Sequence, residues 1–342
     1  MLLRGRQSFL FSSPPAIRSW ACTAGKKEGE GPLQQEFDIV LKEDLAGESS
    51  WEKAESSMQK LSLNKALEKA GLTADDLNMI CGGDLLNQCV GTSFAMRDLQ
   101  IPFLGLYGAC STMAESLIIS AMAVSGGAAR RAACITSSHF ASAERQYRFP
   151  LVYGGQRTPT AQWTATASGC VILGREGNGP YLRAATVGTI TDWGITDANN
   201  MGAAMAPAAY RTIKTHLEAF NLSPSDYDLI VTGDLGYLGR SVVQDLFAKD
   251  GLPLNDRYDD CGTMLFDAGK QDVHAGASGC GCSAAVLCAK LLPMMRRGEL
   301  RRLLFCGTGA LLSPLTTQQG ESVPGICHAV SITTDKEDTW IT

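Results

Sequence analysis

The sequence has no lysine- or arginine-rich run, and its 30 basic side chains are outnumbered by 35 acidic ones, for a net charge of −5. A polybasic anchor is thereby excluded, and nucleic acid is not expected as a main partner. A long apolar run is also missing. The longest, Ile101 to Val124, is broken by Glu115 and by a Gly-Ala-Cys-Ser-Thr turn, so no transmembrane helix is expected. Residues 1–22 carry basic side chains but no continuous apolar stretch, and Pro14 and Pro15 interrupt them, which argues against a secretory signal. The 12 cysteines follow no disulfide-framework spacing, which fits a reducing compartment. Cys280 and Cys282 form a Cys-x-Cys pair with Cys261 and Cys288 nearby, but structural zinc usually asks for two Cys-x₂-Cys-like pairs. A tight turn entering a helix is the better reading, and no metal site is assigned. What is abundant is apolar content, 45% hydrophobic, with 36 glycines, as in globular α/β enzymes with a large core.

Cys110 sits between an apolar run, Ile101 to Leu106, and a helix-like stretch, Met113 to Val124. A thiol at a strand-to-helix turn feels the helix dipole and free backbone N–H groups, which favour a thiolate or a bound anion. Cys110 therefore marks the expected pocket; the alternative is a small buried hydrophobe.

The chain also repeats itself. Leu72 to Leu85 is echoed by Leu222 to Leu235, placing Asp84 and Asp234 at matching Gly-Asp-Leu turns 150 residues apart. Arg130 to Ser137 is echoed by Arg301 to Thr308 at an offset of 171, so the second copy carries about 21 extra residues. We place that insertion between Asp250 and Gly276, where Asn255, Asp256, Asp259 and Asp260 suggest a surface excursion. The halves are taken as residues 1–175 and 176–342. Residues 56–70 show helical spacing, whereas 77–81, 132–136, 229–232 and 303–306 are continuous apolar runs, as in buried parallel strands. Gly82, Gly83, Gly233, Gly307 and Gly309 follow these runs and suggest turns at strand C-termini, where open α/β sheets place ligands. Two halves about a pseudo-twofold axis would set both Asp turns, Cys110 and the glycine-rich helix start at residues 276–285, with Ser283, around one crevice.

Long motifs then carry a resemblance: Gly82-Gly-Asp-Leu-Leu-Asn-Gln88, Ile101 to Thr112, Thr136-Ser-Ser-His139, Ala143 to Pro150 and Tyr153-Gly-Gly-Gln156. Asp192 to Asp197, Asn200 to Ala209, Asp259-Asp-Cys-Gly262, Ser278 to Ser283 and Gly307 to Pro314 extend it. Together they resemble the stage V sporulation protein AD family over almost the whole chain. The resemblance implies an α/β thiolase-like fold, two pseudo-symmetric halves forming a layered αβαβα core similar to condensing enzymes. It implies non-catalytic binding of dipicolinic acid, alone or as its calcium chelate, for uptake into the developing spore. It further implies no cofactor beyond Ca²⁺ accompanying the ligand, a place at the periphery of the spore inner membrane beside the other stage V sporulation A-operon membrane proteins, a link to germination, and a homodimer formed through residues 132–137.

A condensing enzyme would pair its cysteine with His and Asn or a second His. Here the corresponding places read Thr232-Gly-Asp234-Leu235 and Cys280-Gly-Cys282, and His274 lies one residue off the thiolase spacing, as a loop histidine would. An acyl-thioester condensing enzyme or acyltransferase using Cys110 is therefore the alternative. For a planar dianion, the candidate contacts are the helix start at Ser111 and Thr112, His139, Arg145 and Arg148, and the amide of Asn87. Surface ion pairs for the two arginines, a structural role for His139 and turn formation by Asn87 are the competing readings. Asp84 and Asp234 either cap the turns that follow them or meet Ca²⁺ on the ligand.

Overall fold

The computed structural model describes residues 1–147, 157–338 and 340–341. The internal repeat is reproduced at the level of single hydrogen bonds. Thr73 and Asp76 close a capping box around one 3₁₀ turn, and Ser223 and Asp226 close the same box around another. Asn78 Oδ1 accepts from the backbone N–H groups of Arg130 and Arg131 at 2.7 and 3.0 Å. In the matching place Asp228 Oδ2 accepts from Arg301 and Arg302 at 2.7 and 2.9 Å. In each half, one short polar side chain thus ties the start of one strand to the start of its neighbour.

Ten strands lie on one path: β1 Ala16–Ala24, β2 Met79–Gly83, β3 Phe103–Gly105, β4 Arg131–Ser138, β5 Ala167–Gly174, β6 Tyr181–Thr186, β7 Leu229–Thr232, β8 Tyr258–Asp260, β9 Arg302–Ala310 and β10 Gly325–Thr333. Their spatial order is β8-β7-β9-β10-β6-β1-β5-β4-β2-β3. It reads alike from both ends once β6 to β10 are matched with β1 to β5. In each half the inner strand, β2 or β7, pairs in parallel with both neighbours, so the apolar runs are buried on two faces.

The helices that position the site are α1 Trp51–Ala70, α2 Val90–Arg97, α3 Thr112–Ser125, α4 Phe140–Tyr147, α5 Met201–Ala219, α6 Gly236–Lys249 and α7 Cys280–Val286. Ser50 caps α1, and Gly71 ends it in the left-handed conformation at φ 63°. Asn200 Oδ1 caps α5 through the N–H of Ala203. Helices α1 and α5 cover the outer faces. Helix α3 touches β2 and β4 of its own half and β9 and β10 of the other, so with α7 it forms the middle layer of an αβαβα stack. No described helix is long and apolar enough to cross a membrane.

Three expectations are corrected. Gly82, Gly83, Gly307 and Gly309 lie inside β2 and β9 rather than in turns. A Cβ on Gly83 would stand 1.9 Å from the Leu106 carbonyl oxygen, and one on Gly307 would stand 2.7 Å from Ala114 Cβ, so close packing against α3 and the neighbouring strand excludes side chains there. The stretch assigned to a surface excursion contains β8, and Asp260 is fully buried. Its carboxylate accepts from Thr232 Oγ1 and the N–H groups of Leu235, Gly236 and Gly262. Strand β4 is bonded to β2 on one side and β5 on the other, so residues 132–137 have no free edge with which to extend the sheet to a second copy. The open edge of that half is β3.

Candidate functional site

Between β3 and α3 the chain makes a 3₁₀ turn, Ala109–Ser111, entered through Ala109 at φ 50°. That turn presents Cys110 to a cavity of about 370 Å³. Leu85 and Asn87 come from the loop after β2, Tyr107 from the loop before the turn, and Ala143, Glu144 and Tyr147 from α4. Thr164, Ser278, Met201 at the start of α5, and Ala310 to Pro314 after β9 complete the wall. Tyr107 Oη lies 3.0 Å from Tyr147 Oη and 3.3 Å from Asn87 Oδ1, and Tyr147 donates to the Leu85 carbonyl. The lining is largely apolar, with a few hydroxyl and amide groups, the Cys110 thiol and the carboxyl of Glu144, and among its described residues there is no Lys, Arg or His.

The thiol does not behave as expected of a helix-start cysteine. Burial holds its pKa well above the ordinary value, and the Asp234 carboxylate and then Cys280 push it further up, against a weaker lowering by the Gly279 N–H. Desolvation and a neighbouring anion outweigh the dipole of one short turn. Cys110 is therefore a protonated thiol, only 6% exposed.

Asp234 is the charged residue next to it. Its carboxylate accepts from Thr308 Oγ1 at 2.7 Å, the Gly279 N–H at 2.8 Å and Ser278 Oγ at 3.1 Å. It joins the loop after β7 to β9 and to the start of α7, with Cys110 alongside. Its repeat partner Asp84 does something else. Asp84 accepts from the N–H of Leu86 and from the N–H and Oγ1 of Thr92, capping α2 in the way a short carboxylate at a turn does.

The other candidates separate. Asn87 reaches the cavity wall. Ser111 and Thr112 bond through their hydroxyls to the carbonyls of Gly108 and Ala109, and Ser283 to that of Cys280, so none of the three lines the cavity. His139 is buried; the Ala141 N–H donates to its Nδ1, so its Nε2 carries the proton and donates to the Asp44 carbonyl at 2.8 Å. Burial lowers its pKa, and the neutral ring is structural. Arg145 pairs with Glu52 and lies over the Trp51 ring at 5.3 Å, away from the cavity. Arg148, with the motif Tyr153 to Gln156, lies outside the described residues. His274 pairs with Asp272 in a loop. Cys280 and Cys282 are buried and donate to the carbonyls of Ser137 and Gly233. Among the described residues no group of three His, Cys, Asp or Glu is arranged to hold a metal. Sequence reasoning missed Tyr107, Tyr147, Thr164, Met201 and Leu311 to Pro314 as wall residues, although most of them fall inside the motifs singled out above.

A cysteine at the head of a central helix, in a crevice between two copies of one fold, defines a thiolase-like scaffold of the condensing-enzyme kind. Solved structures agree. The chain is similar to 3-oxoacyl-[acyl-carrier-protein] synthase III from Aquifex aeolicus (12% identity, TM-score 0.57, covering 93% of this chain and 99% of that one). It is also similar to cerulenin-bound OleA from Xanthomonas campestris (14%, TM-score 0.59, covering 97% and 100%). Identities this low show the fold alone. The family model of stage V sporulation protein AD matches residues 5–333. The stage V sporulation protein AD of Bacillus subtilis (strain 168) is 44% identical over 330 residues, covering 96% of this chain and 97% of the relative. The chain belongs to the stage V sporulation protein AD family, and is a sporulation protein with a thiolase-like fold.

Proposed function

We propose that the protein binds dipicolinate in the Cys110 cavity without performing chemistry on it, for uptake into the developing spore. The observation that carries this reading is the buried Asp234 carboxylate beside Cys110, in a cavity whose described wall has no histidine. A thiol beside a carboxylate and without a histidine is held as a thiol, the opposite of what acyl transfer asks of it. Leu85, Met201, Leu311 and Pro314 offer apolar faces to a pyridine ring, and Asn87, Tyr107 and Ser313 offer polar atoms to its carboxylates. The Asp234 carboxylate beside Cys110 would oppose a bare dianion, so the neutral Ca²⁺ chelate is the form best suited to this cavity. Arg148 follows Tyr147 directly in sequence and is the candidate cation for the free acid.

Calorimetric titration with dipicolinate, with and without Ca²⁺, tests this, with isophthalate as the analogue lacking the ring nitrogen. Asn87→Ala should weaken binding about tenfold, as expected for one hydrogen bond to a charged group, and the ligand should protect Cys110 from alkylation. Absence of binding together with acylation of Cys110 by a thioester would return the chain to the acyl-transfer enzymes.

In this reading the protein acts at the periphery of the spore inner membrane, beside the membrane proteins of the same operon, and as a homodimer. Light scattering after size exclusion should give about twice the 36.4 kDa chain mass. A single-chain mass would rule the dimer out.

A further inference from the structure

A second concave site lies at the far end of the sheet from the Cys110 cavity. Arg18 packs over Gly174 at the end of β5, which faces Arg131, the first residue of β4, whereas the cavity lies beyond the last residues of β4. Arg18, Lys69, Arg296 and Arg297 line this groove of about 360 Å³ together with Trp20, and among the described residues no carboxylate lines it. In a chain of net charge −5, four cations around one groove are a local reversal.

Two of the four have other employment. Lys69 ends α1 and pairs with Asp38 at 2.6 Å, and Arg297 pairs with Glu299 at 2.5 Å. Both also compensate the negative end of a helix, α1 for Lys69 and the short helix Leu292–Arg297 for Arg297. Arg18 and Arg296 are not explained in this way. Arg18 is on a strand, has no carboxylate partner among the described residues, bonds only to the Glu176 carbonyl, and keeps its Nε buried with no acceptor. Arg296 lies over Trp20, with its guanidinium carbon 4.6 Å from the ring centroid, and likewise has no described carboxylate partner. Two arginines without a described carboxylate partner, lining one groove, supply the charge and the forked donors that recognise a tetrahedral oxyanion.

We propose that this groove is a binding site for a phosphate group, carried either by a soluble phosphate compound or by an anionic lipid headgroup. The site is separate from the dipicolinate cavity and its occupancy does not depend on that reading.

The test titrates the full-length protein with inorganic phosphate and a nucleoside triphosphate, and measures co-sedimentation with phosphatidylglycerol vesicles against phosphatidylcholine vesicles. Arg18→Gln/Arg296→Gln is compared with Lys249→Gln/Lys336→Gln, which removes the same charge from exposed positions elsewhere. The arginine pair should lose about tenfold or more in affinity, the lysine pair should not, and binding should weaken with added salt. Saturable binding of soluble phosphate assigns the free source; vesicle binding with phosphatidylglycerol alone assigns the headgroup. Equal loss in both double variants, or no binding by either arm, overturns the proposal. Melting temperature reports whether the variants fold, and unchanged cavity ligand binding separates this site from the first.

Discussion

Raising the pH from 5.5 to 8.5 is expected to destabilise this protein, because several of its carboxyl groups are buried and hold their protons more tightly in the folded state. Glu28 is 1% exposed; one oxygen accepts from the Thr166 N–H, and the other has no partner. Burial raises its pKa from 4.5 to about 7, with Lys27 lowering it and Asp44 raising it to smaller extents. Glu55 is buried as well, accepting from Ser137 and Ser142, and burial followed by the nearby Asp84 carboxylate raises its pKa. Asp84, with three donors, is the member of that pair that holds the charge, and Glu55 the one that holds the proton. A carboxyl whose pKa is raised on folding contributes stability that is complete below its unfolded pKa and is lost as the pH climbs through its folded pKa. For Glu28 that window runs from 4.5 to about 7, and the loss above pH 5.5 is about 2 kcal/mol. Urea unfolding at pH 5.5, 7 and 8.5 should show the decline, and Glu28→Gln should flatten it by about that amount. Identical slopes in the two proteins would mean that Glu28 is ionised throughout.

Replacing Asp234 should have two separable effects. Asp234→Ala strands Ser278 Oγ, the Gly279 N–H and Thr308 Oγ1 in a buried site, and should cost about 3 kcal/mol or more in chemical denaturation. Asp234→Asn keeps the shape and removes the anion. The thiol of Cys110 then loses the second-largest influence holding its pKa up, after burial itself. Alkylation of the Cys110 peptide, followed by mass spectrometry at pH 8, should speed up, because the thiolate is no longer opposed by a neighbouring anion. An unchanged rate would show that burial alone protects the thiol, and would remove the carboxylate from the argument against acyl transfer.

The repeat was the most legible part of this chain. Offsets of 150 and 171 residues located equivalent strands, and the short polar residues within the echoed segments, Thr73 and Ser223 or Asn78 and Asp228, make equivalent bonds. Such bonds connect neighbours in sequence or the starts of adjacent strands, and local chemistry specifies them. Cys110 was legible for a similar reason, since a strand, a tight turn and a helix follow from pattern alone.

The sequence by itself therefore determined the duplicated α/β architecture, the turn that carries Cys110 and the family. The tertiary structure alone decided what each polar side chain does. Asp84 and Asp234 stand at equivalent turns, yet one caps its own helix while the other reaches 45 residues along the chain to Gly279, because Asp260 has taken over the capping of the second turn. The interior place of β4, the protonated Cys110 and the retreat of His139 to the Asp44 carbonyl have the same origin. Burial and hydrogen-bond partners are set by segments distant in the chain, and a buried polar group takes whichever distant partner satisfies it.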